Sequence, residues 1–232
     1  MTTTATDQPD APARKIWGGR RRSDLGDHTA QAVSSLQAQV LRDPPRPEAV
    51  SALARLRRGI GRAPGFDYSL EAYLLVPDHL LGARPADDAE AADTEQAVHD
   101  AVTLYALHQQ SRRERMHVNG QGLGHAMARL TKASTGPDGV RRRFAALGTA
   151  STYTEAIHHL RGLVTMLREH QIPLDYGLLA DDLRALCRPA SRARIQAVWG
   201  REYFRSNPGT TADSSTETSS ESTTDTTEEN PA

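Results

Sequence analysis

Residues 152–173, TYTEAIHHLRGLVTMLREHQIP, decide the fold. Ile157, Leu160, Val164 and Leu167 recur at spacings of three and four, the period that lines apolar side chains along one helical face. Thr152 or Thr154 stands where an N-cap hydroxyl is needed. Ile172-Pro173 ends the run, because proline has no N–H and its ring clashes with the turn before it.

The same pattern extends outward in both directions. Val33, Leu36 and Val40 mark a helix over 31–40, stopped by Asp43-Pro44-Pro45. Pro47 suits a first helical turn, and Val50, Leu53 and Leu56 give the next stripe, ending near Gly59 and Gly61. Ser69 is placed to cap a short helix through Val76, Pro77 breaks it, and residues 83–92 read as a polar loop. A strong helix is expected from Thr94 to about Arg113, with Ala97, Ala101, Leu104, Tyr105 and His108 on one face and Val98 and Val102 beside it. Further stripes follow: Leu123/Met127/Leu130, Val140/Phe144/Leu147, Leu179/Leu183/Leu186 and Ile195/Val198/Trp199. No sustained period-two run appears, so the expectation is an all-α fold of eight to ten short helices joined by Gly/Pro breaks.

Composition bounds the rest. Of 28 basic residues only Lys15 and Lys132 are Lys, and the Arg cluster at 20–22, 57–58, 112–113 and 141–143. The formal net charge is −1, but residues 207–232 hold six acids and no base, leaving 28 bases against 23 acids elsewhere. That tail is rich in Ser and Thr and too poor in large apolar residues to offset chain entropy. The organisation expected is a disordered segment over 1–22, a helical domain over 23–206 and a disordered acidic tail over 207–232. One cysteine rules out an intrachain disulfide, and no apolar run reaches the roughly 18–20 residues of a membrane span. A cytoplasmic protein with no membrane association is expected.

Catalytic chemistry finds little support. Cys187 ends a leucine stripe and reads as a structural thiol. His158 and His159 are adjacent, so on a helix they point about 100° apart and cannot share one ion. Neither HExxH nor CxxC occurs. Asp181-Asp182 lies opposite the Leu179/Leu183/Leu186 stripe and is expected to face water. Gly120 to Gly124 lacks the strand and the Lys-Ser/Thr of a nucleotide cradle. No enzyme activity, metal or cofactor is expected.

The arginines fit a phosphate partner better, since a guanidinium presents a planar fork of donors. With Val140 and Leu147 facing the core, Arg142 falls about 200° from Val140, fully outward. Arg194, Arg201 and Arg205 share one stripe on the last helix, and Arg161 and Arg168 flank the Ile157/Leu160/Val164/Leu167 seam. Such contacts give affinity without base preference. No aromatic ladder of the kind that stacks bases is visible, so stacking is not expected as the main mode. A helix-turn-helix over Leu178 to Arg205, as in a free-standing DNA-binding regulator, is the alternative.

Five blocks carry a resemblance: AVHDAVTLYALHQQSRRERMH (97–117), GLGHAMARL (122–130), RRRFAALGTAST (141–152), HHLRGLVTMLREHQIPLDYGLLADDL (158–183) and WGREYFR (199–205). In this order they resemble the small subunit of the type I-E CRISPR Cascade complex, the CasB family. ALARLRRGIGRAPG (52–65) is similar to the matching segment of the longer actinobacterial form. The resemblance implies two small helical bundles without catalytic activity, working in antiviral defence beside other Cascade subunits, a second copy of the chain, guide RNA and target DNA. It implies that a basic surface holds the displaced strand and favours the R-loop. Matched basic positions are Arg57, Arg58, Arg142, Arg143 and Arg161. Arg112, Arg113, Arg194 and Arg201 are added on helical phase. Val118-Asn119 and His125 stand where the family often has basic residues, and the acidic tail has no counterpart.

Overall fold

The computed structural model describes residues 19–81 and 88–207. These form α1 (Asp24–Val40), α2 (Pro47–Leu56), α3 (Glu71–Leu74), α4 (Asp88–Gln109), α5 (Leu123–Ala133), α6 (Pro137–Gly148), α7 (Tyr153–Glu169), α8 (Tyr176–Cys187) and α9 (Pro189–Ser206). Single 3-10 turns at Arg57–Gly59, Tyr68–Leu70 and Asp78–Leu80 occupy the stretch between α2 and α4. Among the described residues no strand forms; an isolated parallel bridge joins His117 to Leu174.

The stretch at 152–173 folds as expected. Thr152, rather than Thr154, is the cap: its hydroxyl accepts the Glu155 N–H at 3.1 Å, and the Glu155 carboxylate accepts the Ser151 N–H at 2.9 Å. Leu160, Val164 and Leu167 are fully buried, each worth roughly 1.5–3 kcal/mol in apolar transfer. Thr152→Ala is expected to cost about 1 kcal/mol of unfolding free energy, measured by urea denaturation.

Other boundaries move for local reasons. The first helix starts at Asp24 rather than Gln31, because Ser23 caps it. Asp67, not Ser69, caps the turn before α3, which stops at Leu74. Residues 88–92, expected as loop, open α4 with Asp88 and Glu90 in its first turn, where carboxylates favour the helix dipole. Residues 82–87 lie outside the described residues. In α2 the buried face is Ala49, Ala52, Leu53 and Leu56, and Val50 is 46% exposed. Small alanines, invisible to a search for large apolar residues, set that phase.

Helix α4 is buried on every side, from Ala97 through Val98, Ala101, Val102, Leu104 and Tyr105. It packs on α1, α2, α3 and α8 and also on α7. The α1–α4 and α8 group and the α5, α6, α7 and α9 group therefore meet where α4 packs on α7 and α8 packs on α9, sharing one continuous apolar core.

The arginine triplet at 20–22 corrects the expected N-terminal boundary. Residues 1–18 lie outside the described residues, but Arg20 and Arg22 are tied into the body. Arg22 donates Nε to Asp175 Oδ1 at 3.0 Å and Nη2 to Asp175 Oδ2 at 2.6 Å, with both side chains buried. Arg20 donates Nη1 to Asp182 Oδ2 and to Glu202 Oε1, each at 3.1 Å. Asp182 does not face water as its phase predicts. It is 1% exposed and also accepts Trp199 Nε1 at 2.7 Å. An apolar-stripe reading cannot find such a residue, because its burial comes from a cation 162 positions away. Residues 208–232, most of the expected tail, lie outside the described residues.

Candidate nucleic-acid interface

Helix α7 supplies the centre of the basic surface. Its core face is set by Leu160, Leu163, Val164 and Leu167, which leaves His158, Arg161 and Gly162 exposed opposite. Arg161 and Arg168 are seven apart, hence on one edge of that face. Arg168 donates Nη1 to Gln110 Oε1 at 3.0 Å, just past the end of α4. Arg112 is close by, since both Arg168 and Arg112 hold the buried His108 ring towards its neutral form, after burial itself, which lowers its pKa to about 3. On the opposite edge Arg143 reaches from α6 to Met166 Sδ at 3.7 Å. The solvent face of α7 is thus a shallow track edged by guanidinium groups on both sides. Two of these are anchored by neighbours, which lowers the entropy lost on gripping a phosphate.

Helix α6 continues the surface. Arg141, Arg142 and Arg143 are all exposed. Arg141 is turned towards α9, engaging the Tyr203 hydroxyl and, at 2.7 Å, Asp138. On α9, Arg194, Arg201 and Arg205 form an exposed stripe. Since α6 touches both α7 and α9, Arg142, Arg143 and Arg161 stand on adjoining helices and Arg112 joins at the α7 edge, whereas Arg201 lies further round α9 and Arg194 lines a hollow on its α8 side with Arg20, Arg21 and Arg184. Arg113 is exposed beyond the end of α4. Arg57 and Arg58 sit apart from this surface, on the 3-10 turn that ends α2; Arg58 is exposed, and Arg57 is half-buried with its Nε unbonded. Arg168 and Arg205 are the contributors that residue-by-residue matching leaves out. Their helical phase, the same as Arg161 and Arg201, is the signal that finds them.

The loop where charge is missing has a different task. Asn119 Oδ1 accepts Arg22 Nη2, and Gly120 N–H donates to Asp175 at 2.6 Å, so this segment seals a buried ion pair. Gly124 N–H at the start of α5 donates to Glu202 at 3.0 Å, and a Cβ on Gly124 would strike the Trp199 carbonyl. The helix N-terminus at which a phosphate cradle would form already holds a carboxylate.

The remaining candidates stay structural. The Cys187 thiol is pushed up to about 12, first by burial and then by Asp93 and Asp100, so it carries no thiolate at neutral pH. The rings of His158 and His159 meet edge-on at 5.7 Å. Among the described residues no group of three or more His, Cys, Asp or Glu could hold a metal ion, and no helix is long and apolar enough to cross a membrane. Helices α8 and α9 are joined through Arg188 alone, shorter than the three- or four-residue turn of a helix-turn-helix. Helix α8 is also buried between α1, α4 and α9, which leaves no free unit to enter a groove.

Fold and surface together define an all-α protein that presents rigid arginine faces. The family model for CRISPR-associated protein Cse2 matches residues 52–204. CasB from Thermobifida fusca is 40% identical, with 78% of this chain and 98% of that one covered and a TM-score of 0.64. A Cse2-family CRISPR-associated protein from Thermus thermophilus shares the fold at 23% identity, with 78% and 97% covered and a TM-score of 0.57. So does a chain of a CRISPR RNA-guided surveillance complex, at 23% identity, 78% and 94% covered and a TM-score of 0.57. No curated protein sequence gives a significant match. The chain belongs to the CRISPR-associated Cse2 family, also called CasB.

Proposed function

We propose that the chain is a non-catalytic nucleic-acid-binding subunit of an RNA-guided CRISPR Cascade complex. In this reading it stabilises the R-loop through sequence-independent contacts from arginine to phosphate. Its partners are the other Cascade subunits, a second copy of the chain, the guide RNA and the displaced DNA strand. Family membership supports the assembly. The observation that carries the binding role is the face of α7 edged by Arg143 on one side and Arg161 and Arg168 on the other. Guanidinium groups at such spacing can follow a strand backbone without reading its bases. Little energy is needed, because exchanging a DNA duplex for an RNA–DNA hybrid is nearly balanced. Contacts of about 1 kcal/mol each would shift that balance about fivefold apiece.

The test is R-loop formation by the reconstituted complex carrying Arg57→Ala, Arg58→Ala, Arg142→Ala and Arg143→Ala together, followed across a salt series. Lower DNA affinity is expected, with the slope of log affinity against log salt reduced by about 0.7–0.9 for each phosphate contact removed. Unchanged affinity with an unchanged slope would reject these positions. A second set, Arg161→Ala with Arg168→Ala, separates the α7 track from the α2 end.

A further inference from the structure

Between α6 and α9 runs a groove of about 410 Å³ with nearly apolar walls. Phe144 on α6 faces Tyr203 on α9, ring centroids 5.2 Å apart and tilted by 35°. Phe204 meets Tyr203 at 5.4 Å and 90° and remains 50% exposed. Trp199, buried below, forms the floor. Two glycines, Gly148 and Gly200, also line it, and a Cβ at either would meet nothing within 4 Å. Gly200 sits in the interior of an 18-residue helix, where glycine is unfavourable relative to alanine. No neighbour requires it there. What its missing side chain provides is width in the groove.

The charge around the groove selects its occupant. Arg141 lines it, its charge offset by Asp138. Beyond the α6 wall the next outward side chain is Arg142; beyond Phe204 come Arg201 and Arg205, all three exposed. Flat rings flanked on both sides by free guanidinium groups match a ligand that alternates planar apolar groups with phosphates. An apolar protein segment would leave that cationic rim without a partner.

We infer that this groove stacks a base of single-stranded nucleic acid against Phe204 and the half-buried Phe144, with the buried Tyr203 packed between them and the adjoining phosphates on Arg142 and Arg201. The inference rests on the phosphate-binding reading above and adds stacking to it. Every base has a π-face, so stacking keeps the binding indifferent to sequence. It also revises the expectation that stacking plays no main part: the aromatic side chains come from two helices, so no ladder shows along the chain.

The experiment compares a thymidine oligonucleotide with an abasic strand of equal length, each titrated against the full-length chain at low salt. The wild-type chain should prefer the thymidine strand by about fivefold to a hundredfold, the range of one stacked base. Phe204→Ala should erase the preference, and Phe204→Trp should keep it. Gly200→Leu, which fills the groove while removing a helical glycine, should erase it in a chain at least as stable as wild type. Equal wild-type affinity for the two strands overturns the groove inference and leaves the phosphate reading standing. Failure to bind either strand overturns both. If Phe204→Ala keeps the preference but weakens self-association or retention among other subunits, the groove is a protein-docking surface and the inference fails.

Discussion

Asp175→Ala is expected to lower the unfolding free energy by about 3–5 kcal/mol, the usual cost of removing one partner of a buried ion pair. Asp175 is fully buried and meets Arg22 through both carboxylate oxygens. The same two oxygens accept N–H groups from Gly120 at 2.6 Å, Gly177 at 3.0 Å and Leu178 at 3.1 Å. One side chain therefore caps α8, closes the loop before α5 and holds the segment leading into α1. Alanine leaves a guanidinium that is only 6% exposed with the exposed Asp27, 3.6 Å away, as its remaining carboxylate, together with three unpaired backbone donors. Against a typical total stability of about 5–15 kcal/mol, the variant should be marginally folded at 37 °C. Asp175→Asn should be milder, since asparagine still caps a helix but does not neutralise Arg22. Urea unfolding with an unchanged m-value would isolate the effect. A loss below about 1 kcal/mol would show that water replaces the carboxylate at this site.

Much of this is open to reading in the sequence, because helical period is a local property. The stripe Ile157/Leu160/Val164/Leu167 and the breaks at Pro44 and Pro173 need no knowledge of the remainder of the chain. Such reading fails where a distant group decides. Val50 looks like core, but Ala49 and Ala52 are what α1 and α4 accept at close approach. Arg20 and Arg22 read as surface charge beside Arg21 and turn inward because Asp182 and Asp175, more than 150 residues away, await them. Asp182 opposes the leucine stripe, which would turn it to water if α8 were a surface helix with one buried face. In the fold α8 is covered by α1, α4 and α9, so its other faces need partners too. The interface divides in the same way. The outward phase of Arg142 and Arg161 follows from their own helices, while the groove between Phe144 and Phe204 exists only once α6 and α9 are side by side.

Arg20→Ala should produce a loss of similar size, about 3–5 kcal/mol at neutral pH, and one that depends on pH. Arg20 bridges Asp182 on α8 and Glu202 on α9, two carboxylates that are 1% and 5% exposed. Burial raises the Asp182 pKa to about 6 from an ordinary 3.8, and Arg20 is the main influence holding it down. Without Arg20 it moves higher still. For a carboxyl raised in the folded state, the stabilisation is complete below the unfolded value and is lost as pH rises through the folded value. Both chains should therefore lose stability as pH climbs from about 4 past 6, and the variant should lose more. The gap between them should be narrow near pH 4, where Asp182 is protonated in the folded chain, and widest above pH 7. A gap of constant width would attribute the loss to packing of the arginine stem instead, and Arg20→Met, which keeps most of that volume, should then restore it. The consequence reaches the interface because Glu202 lies between Arg201 and Tyr203 on α9. Loosening the bridge lets α9 shift against α8, carrying Arg194, Arg201 and one wall of the aromatic groove with it. Strand affinity of the variant should then fall with rising pH.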